Sequence, residues 1–373
     1  MIYLICFLCV HYLWFLSRIY KGLISLNQPN NVYQSAITAT IIIPFRNESE
    51  KILKSLESIE NQSYSINHFE VIYVDDNSED DSLEKLKTNI SKENIRVINL
   101  DNSIHDRAHK KQAIEAGIGK SDNEIIVITD ADCTHDIEWL NNLLSYFEND
   151  TALVSGPVQF SSDGTMFQEL QQIEFSSLII AGAGLIGSGT PTICNSANLA
   201  FRKKVFYEVD GYNDNKHLSS GDDEFLMQKI ANTTKYNIKF CTNKKTIVKT
   251  EPNSSLTSFF EQRKRWASKG VFYKENVLIL KLVLIFLFYV LFPSTFIIGL
   301  FLNPIYLIMF FSLFIIKGIS EYFVMSTGQK IVYGKRKLKY FFLAELVQIP
   351  YIIISSLLGL FGNYSWKGRK VER

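Results

Sequence analysis

The chain has 373 residues, 21% of them charged, and a formal net charge of +1. That length allows one large domain or two modest ones, and so even a charge balance argues for no nucleic-acid partner. Apolar residues make up 47% of the chain and include 27 Phe, but they concentrate at the two ends while the centre reads as an ordinary soluble domain. The five cysteines, Cys6, Cys9, Cys133, Cys194 and Cys241, are odd in number and share no ligand spacing, which speaks against a disulfide framework. Cys133 and His135 lack the further ligands that zinc requires.

Residues 2–16 are apolar almost throughout and are followed by Arg18 and Lys21, with no basic start and no small-residue cleavage site. They predict a retained anchor over residues 1–20 rather than a cleaved signal. At roughly 15 to 17 residues the run is short for a spanning helix, so an interfacial or tilted anchor stays open.

Between residues 36 and 270, short β-rich runs alternate with amphipathic stretches, the pattern of an α/β domain with a largely parallel sheet. Residues 40–43 predict a buried strand ending at Pro44. Residues 49–59 predict a helix from the spacing of Ile52, Leu53, Leu56 and Ile59, and residues 69–74 a second strand. The cycle repeats with a helix over 82–90, a strand over 96–99, a helix around 111–117 and a strand over 124–129. Asp75 and Asp76 then stand at the carboxyl end of one strand and Asp130 and Asp132 just beyond another, the edge where open α/β sheets bind ligands. Carboxylates gathered at one crevice are costly without a cation, so a divalent metal is the natural partner. The turn after the first strand reads Pro44-Phe45-Arg46-Asn47-Glu48, with no glycine-rich phosphate loop, which argues against dinucleotide and P-loop readings. Residues 181–189 are rich in small side chains and start as helix; they could pass along a membrane surface.

Toward the carboxyl end, residues 277–302 are long enough to span a bilayer, and residues 304–325 follow after an Asn-Pro turn as the second arm of a hairpin. A third run, 340–361, carries Glu345, Gln348 and Pro350, and either spans, lies at the interface or breaks midway. Together the three make a membrane-associated region over 277–363, with a basic tail over 364–373. Arg18 and Lys21, with Lys330, Lys335, Arg336, Lys337 and Lys339, should stay cytoplasmic and so place the central domain in the cytosol. Lys367, Arg369, Lys370 and Arg373 would break that rule if the last run crossed fully, so an incomplete crossing is expected. The abundance of Asn, Ile and Lys hints at an AT-rich bacterial genome, hence a bacterial inner membrane.

Six motifs follow in order: IIIPFRNE (41–48), VDDNS (74–78), TDADC (129–133), CNSANLAFR (194–202), SGDDEFL (220–226) and QRKRW (262–266). In this order and spacing they resemble the family 2 glycosyltransferases, over roughly residues 41–266. The resemblance implies a GT-A nucleotide-sugar transferase domain, a Rossmann-like mixed sheet, between N- and C-terminal transmembrane helices. It implies a donor pocket shaped by Pro44, Glu48 and Asp76, where Asp76 takes the base and Glu48 has the alternative of a helix-start acid. Lys110 matches the family lysine near the donor, with Lys111 as competitor. Asp130 and Asp132 correspond to the metal-binding Asp-x-Asp, suited to Mg²⁺ or Mn²⁺.

Asp223 looks like the base that deprotonates the acceptor hydroxyl, although Asp222-Asp223 replaces the commoner Glu-Asp and leaves open which of the pair acts. The two could instead form the acidic first turn of a helix. Gln262, Arg265 and Trp266 match the Gln-x-x-Arg-Trp pattern of membrane-bound members, with Arg265 on the diphosphate and Trp266 on the acceptor; interfacial anchoring is the alternative. Ser196 stands where Gly is commoner, and Asn198 is expected on the acceptor side. The function implied is inverting transfer from a UDP- or GDP-sugar to a lipid-linked or saccharide acceptor. A processive synthase or an inactive membrane scaffold are the alternatives, and any protein partner is unknown.

Overall fold

The computed structural model describes residues 1–28, 37–100, 109–161, 164–218, 220–335, 338–361, 364–366 and 369–371. Residue 36, where the central domain was expected to start, and Arg336, Lys337, Lys367 and Arg373 of the expected basic segments lie outside them.

A long helix α1 (Ile2–Ser25) precedes β1 (Ala39–Phe45), α2 (Ile52–Glu60), β2 (Phe69–Asp75), α3 (Ser82–Asn89), β3 (Ile95–Asn99), α4 (His109–Lys120) and β4 (Ile125–Ile128). Next come α5 (Trp139–Leu144), β5 (Thr151–Ser155), β6 (Val158–Phe160), α6 (Met166–Gly187), β7 (Leu199–Arg202), α7 (Lys203–Glu208), α8 (Glu224–Thr233), β8 (Asn237–Phe240) and β9 (Val248–Thr250). The chain closes with α9 (Leu256–Ser268), α10 (Asn276–Phe301), α11 (Ile305–Gly328), α12 (Phe341–Phe361) and the short antiparallel pair β10 (Tyr364–Trp366) and β11 (Arg369–Val371).

β1, β2 and β4 read as nearly unbroken β-branched runs because helices cover both of their faces. The main sheet has the order β3-β2-β1-β4-β7-β5-β8. β7 runs antiparallel to both of its neighbours, whereas β1–β2, β2–β3, β1–β4 and β5–β8 are parallel. The sheet is therefore mixed, and less parallel than the alternation of runs alone predicts.

α1 continues well past the expected end of the apolar run. Its 24 residues reach about 36 Å at 1.5 Å per residue, enough to cross a hydrocarbon layer. The charge of Arg18 is accommodated at the helix side: its guanidinium lies 5.4 Å from the Trp14 ring and donates to Thr190 Oγ1 at 3.3 Å. Ile5, Leu8, Tyr12, Leu16, Ile19 and Leu23 form the buried face. Gly22 then lets the backbone of α1 meet α6, since a Cβ there would lie 1.8 Å from the Gly184 carbonyl oxygen. The small-residue run 181–189 thus makes a close helix–helix contact with α1 through Gly184 and Gly187.

Among the described residues, five helices are long and apolar enough to cross a membrane: Ile2–Ser25, Met166–Gly187, Asn276–Phe301, Ile305–Tyr333 and Phe341–Gly359. α12 runs unbroken through Pro350. Its polar residues are matched, because Lys317 of α11 donates to Glu345 at 2.6 Å and to Gln348 at 2.9 Å. Lys317 also lies 2.8 Å from Glu321, which accepts from Tyr12 of α1 at 2.6 Å and from Tyr289 of α10 at 3.4 Å. One buried polar network therefore joins four helices.

Candidate active site

At the carboxyl ends of β1, β2 and β4 a cavity of about 650 Å³ opens, closed on its other sides by α6, α9 and α12. Pro44 faces the β4 side of β1 beyond Ile128, where the ladder has ended, so its missing N–H costs no sheet bond. Asn47 and Asn77 turn the chain after β1 and β2 with φ of 51° and 55°, a conformation asparagine tolerates. The two turns are laced together. Arg46, buried, donates to the Asp76 carbonyl at 2.8 Å, to the Asn77 carbonyl and to Glu79 at 2.6 Å, while the Glu48 N–H donates to Ser82 at 2.7 Å. This lacing presents Glu48 and Asp76 to the cavity, with His109 Nδ1 3.4 Å from Asp76 Oδ1. Asp75 does not join them: it turns back to accept from the Ser78 N–H at 3.0 Å.

Asp130 and Asp132 leave β4 on alternate positions, and their carboxylates lie with Cys133 Sγ within 4.8 Å of one another. The carboxylates suit a hard cation. Cys133 does not, because burial and the two aspartates push its thiol well above the usual range, and its Sγ faces Asp132 at 3.6 Å. Lys110 Nζ sits on this group, 2.6 Å from Asp130 Oδ1, 2.7 Å from Ser196 Oγ and 3.6 Å from Asp222. Burial works to depress its ammonium, but Asp130, Asp222 and Asp223 outweigh that and hold it above the ordinary lysine range. Lys111 points away, into a buried niche where it donates to the Asn215 and Leu218 carbonyls at 2.9 and 3.1 Å; burial pushes it down to about 8. Of the two lysines, Lys110 alone lines the cavity.

Asp222 and Asp223 are buried at the start of α8. Burial raises the carboxyl of Asp222, but Lys110, Lys111 and Lys269 more than offset it, so it lies below the usual range. Asp223 is the N-cap of α8: Oδ1 accepts from the Glu224 N–H at 2.7 Å and Oδ2 from the Ser196 N–H at 3.1 Å. The capping alternative and the cavity position thus coincide in one side chain. Ser196 is a junction, its N–H on Asp223 and its hydroxyl on Lys110.

From α9, Gln262, Arg265 and Trp266 reach the same cavity. Gln262 accepts from Asn253 at 2.9 Å, and Trp266 stacks on Phe175 of α6 with centroids 5.9 Å apart. The expected donor, metal, base and Gln-x-x-Arg-Trp residues, from Pro44 to Trp266, all line this one space. Asn198 does not: it is fully buried, donating to the Pro157 and Thr246 carbonyls at 2.8 and 2.7 Å and accepting from Trp139 at 3.1 Å. Its amide stitches strand ends together because all its bonding capacity is spent on backbone and Trp139.

Sequence reasoning missed Lys51, which lies 3.1 Å from Glu251, along with Lys269 and Arg263. Lys269 follows Trp266 by three residues and Arg263 is an unspecified position of the Gln-x-x-Arg-Trp pattern, so proximity to the motif was the available signal.

The model of the family named Glycosyl transferase family 2 matches residues 40–210. Over those residues the chain is similar to a family 2 glycosyltransferase domain. Among its relatives is glycosyltransferase AglE of Haloferax volcanii, 26% identical over 188 residues, covering 49% of this chain and 58% of that one. A second is the dolichyl N-acetyl-alpha-D-glucosaminyl phosphate 3-beta-D-2,3-diacetamido-2,3-dideoxy-beta-D-glucuronosyltransferase of Methanococcus voltae. It is 24% identical over 247 residues, or 64% of this chain and 74% of that one. The match to AglE thus spans less than two thirds of that relative. Among solved structures, mannosyltransferase PcManGT from Pyrobaculum calidifontis, in complex with GDP-Man and Mn²⁺, superposes with a TM-score of 0.54. Sequence identity is 16%, over 94% of this chain and 95% of that one. The domain has the GT-A fold.

Proposed function

We propose that the chain is a membrane-embedded, inverting glycosyltransferase that moves a sugar from a UDP- or GDP-sugar to a lipid-linked or membrane-proximal acceptor. The observation that carries this reading is the single cavity, whose lining includes Asp76, Asp130 and Asp132, then Asp223, and also Leu178, Ile179 and Ile352 of apolar helices. Pro44, Glu48 and Asp76 hold the nucleoside, in keeping with their place at the strand ends. Mg²⁺ or Mn²⁺ held by Asp130 and Asp132 supplies, when bound, the charge that offsets the leaving diphosphate. Lys110 and Arg265 add fixed positive charge on the same side.

Asp223 takes the proton of the acceptor hydroxyl as its oxygen attacks the anomeric carbon, and the nucleoside diphosphate leaves from the opposite face. Its two backbone hydrogen bonds hold the carboxylate in one orientation. Gln262 and Trp266 face the acceptor. Leu300, Phe301, Ile308, Phe311 and Ile315 are exposed on α10 and α11, as lipid-facing residues would be. Arg18, Lys21, Lys330, Lys335 and Lys339 favour the cytoplasmic face.

Purified protein in detergent, given Mn²⁺ or Mg²⁺, a panel of UDP- and GDP-sugars and a membrane lipid extract, tests the reading against Asp223→Asn. One metal-dependent glycolipid that vanishes in the variant supports it. A ladder of products turns it toward a polymerising synthase. Equal turnover by variant and wild type refutes the role of Asp223, and no turnover at all favours an inactive scaffold.

A further inference from the structure

The segment leading from α9 into α10 is strapped to the start of α8. Lys269 Nζ lies 3.0 Å from Glu224 Oε1 and 4.0 Å from Asp223 Oδ1. Tyr273 donates to Glu224 Oε2 at 2.8 Å, and its ring meets Phe225 nearly edge-on with centroids 5.7 Å apart. Both carboxylate oxygens of Glu224 are therefore held by residues of this linker. Two outer contacts extend the strap: Lys274 pairs with Asp214 at 2.9 Å, and Glu275 accepts from Asn232 of α8 at 3.2 Å. The next residue begins α10.

Glu224 is only 4% exposed, and a charge so buried persists only when paired. Its partners come from outside its own helix, so the pairing fixes where the first turn of α8 sits. Asp223 is bound to that turn through the Glu224 N–H and to the loop before β7 through the Ser196 N–H. The carboxylate therefore follows the turn.

We propose that Lys269 and Tyr273 are positioning residues for the transfer step. By clamping Glu224 they hold the first turn of α8, and with it the Asp223 carboxylate, in register with the linker to α10. The inference rests on Asp223 being the base. Lys269 and Tyr273 bear directly on Glu224 and Asp223, so their loss is expected in the transfer step rather than in nucleotide binding. Misplacing a reacting group by about 1 Å costs on the order of 10²-fold in rate.

The test compares Lys269→Met, Lys269→Arg, Glu224→Gln, Tyr273→Phe and the Lys269→Met/Glu224→Gln pair in steady-state transfer, with calorimetric binding of UDP or GDP in Mn²⁺ alongside. Expected are a kcat about 10²-fold lower for Lys269→Met and for Glu224→Gln. The pair should be no worse than either alone, and Lys269→Arg should recover most of the rate. Tyr273→Phe, the mildest change, should lower kcat by about tenfold with nucleotide affinity unchanged. A Lys269→Met enzyme within twofold of wild type, a pair whose losses multiply, or a parallel loss of nucleotide affinity would each overturn the clamp. Asp223→Asn separates the two ideas. If that variant is active, the assignment of the base fails; if it is inactive while Lys269→Met and Tyr273→Phe transfer normally, only the clamp fails.

Discussion

Arg263→Met removes the junction between α6, α9 and α12. The guanidinium of Arg263, 2% exposed, donates to Glu174 through Nε at 3.1 Å and through Nη2, and lies 4.4 Å from the ring centres of both Phe259 and Trp266. Glu174 also accepts from Tyr351 of α12 at 2.7 Å. Breaking a buried pair by removing one partner costs about 3–5 kcal/mol. The low end applies here, because Glu174 keeps Tyr351 and Met refills part of the space between the rings. For a chain of 373 residues, about 3 kcal/mol corresponds to a fall in Tm of roughly 4 °C. Scanning fluorimetry in detergent at one scan rate measures it, for Arg263→Met, Glu174→Gln and the two together. The double variant should fall short of the summed losses by about 1–2 kcal/mol, since both changes delete one pair. A Tm for Arg263→Met within about 1 °C of wild type, or fully additive losses, would refute the reasoning.

Gly22→Leu should lower Tm further than Arg263→Met does, because the α1–α6 backbone approach leaves no room for a side chain; an unchanged Tm would mean that α1 docks elsewhere. Asp132→Asn should raise the Mn²⁺ concentration needed for half-maximal turnover by about 100-fold or more, beyond the losses typical of outer-shell partners, whereas Cys133→Ala should leave it nearly unchanged. Lys111, pushed down to about 8 by burial from its ordinary 10.5, penalises the fold below pH 8. Between those two values the unfolded chain binds the extra proton, so stability rises with pH, by about 3 kcal/mol in all. Denaturation series at pH 7 to 10 should show wild type gaining on Lys111→Met over that interval, and parallel curves would contradict the assignment.

The first half of the sheet was legible because β1, β2 and β4 are buried on both faces and read as uninterrupted β-branched runs. The direction of β7 was not. Leu199–Arg202 is the second half of the motif over 194–202, and its antiparallel pairing with β4 and β5 depends on contacts distant in the chain. In the site, Asp76, Asp130 and Asp132 could be picked out because acidic residues at strand ends point to ligand chemistry, and Asp222 and Asp223 through the resemblance of their motif. What holds them was hidden. The Arg46 lacing of two turns, the Ser196 junction and the Glu224 clamp each pair residues from different elements, and composition alone does not say which lysine meets which carboxylate. Asn198 misled because a motif asparagine can serve the fold as well as a ligand, and only its saturated hydrogen bonding separates the two.

The last helix shows how such pairings change a sequence argument. Glu345 and Gln348 counted against a spanning segment while they stood alone, since an unmatched polar group in hydrocarbon is costly. With Lys317 of α11 accepting that role, one side of α12 is reconciled with an apolar surrounding. Tyr351, Ile352, Ser355 and Ser356 of the same helix line the cavity that holds Asp223. A helix apolar enough to cross a membrane is thus also a wall of the candidate active site. On the proposed function, an acceptor with an apolar tail can bring its hydroxyl to Asp223 while the tail stays beside α6 and α12, and the enzyme need not lift the whole molecule into water.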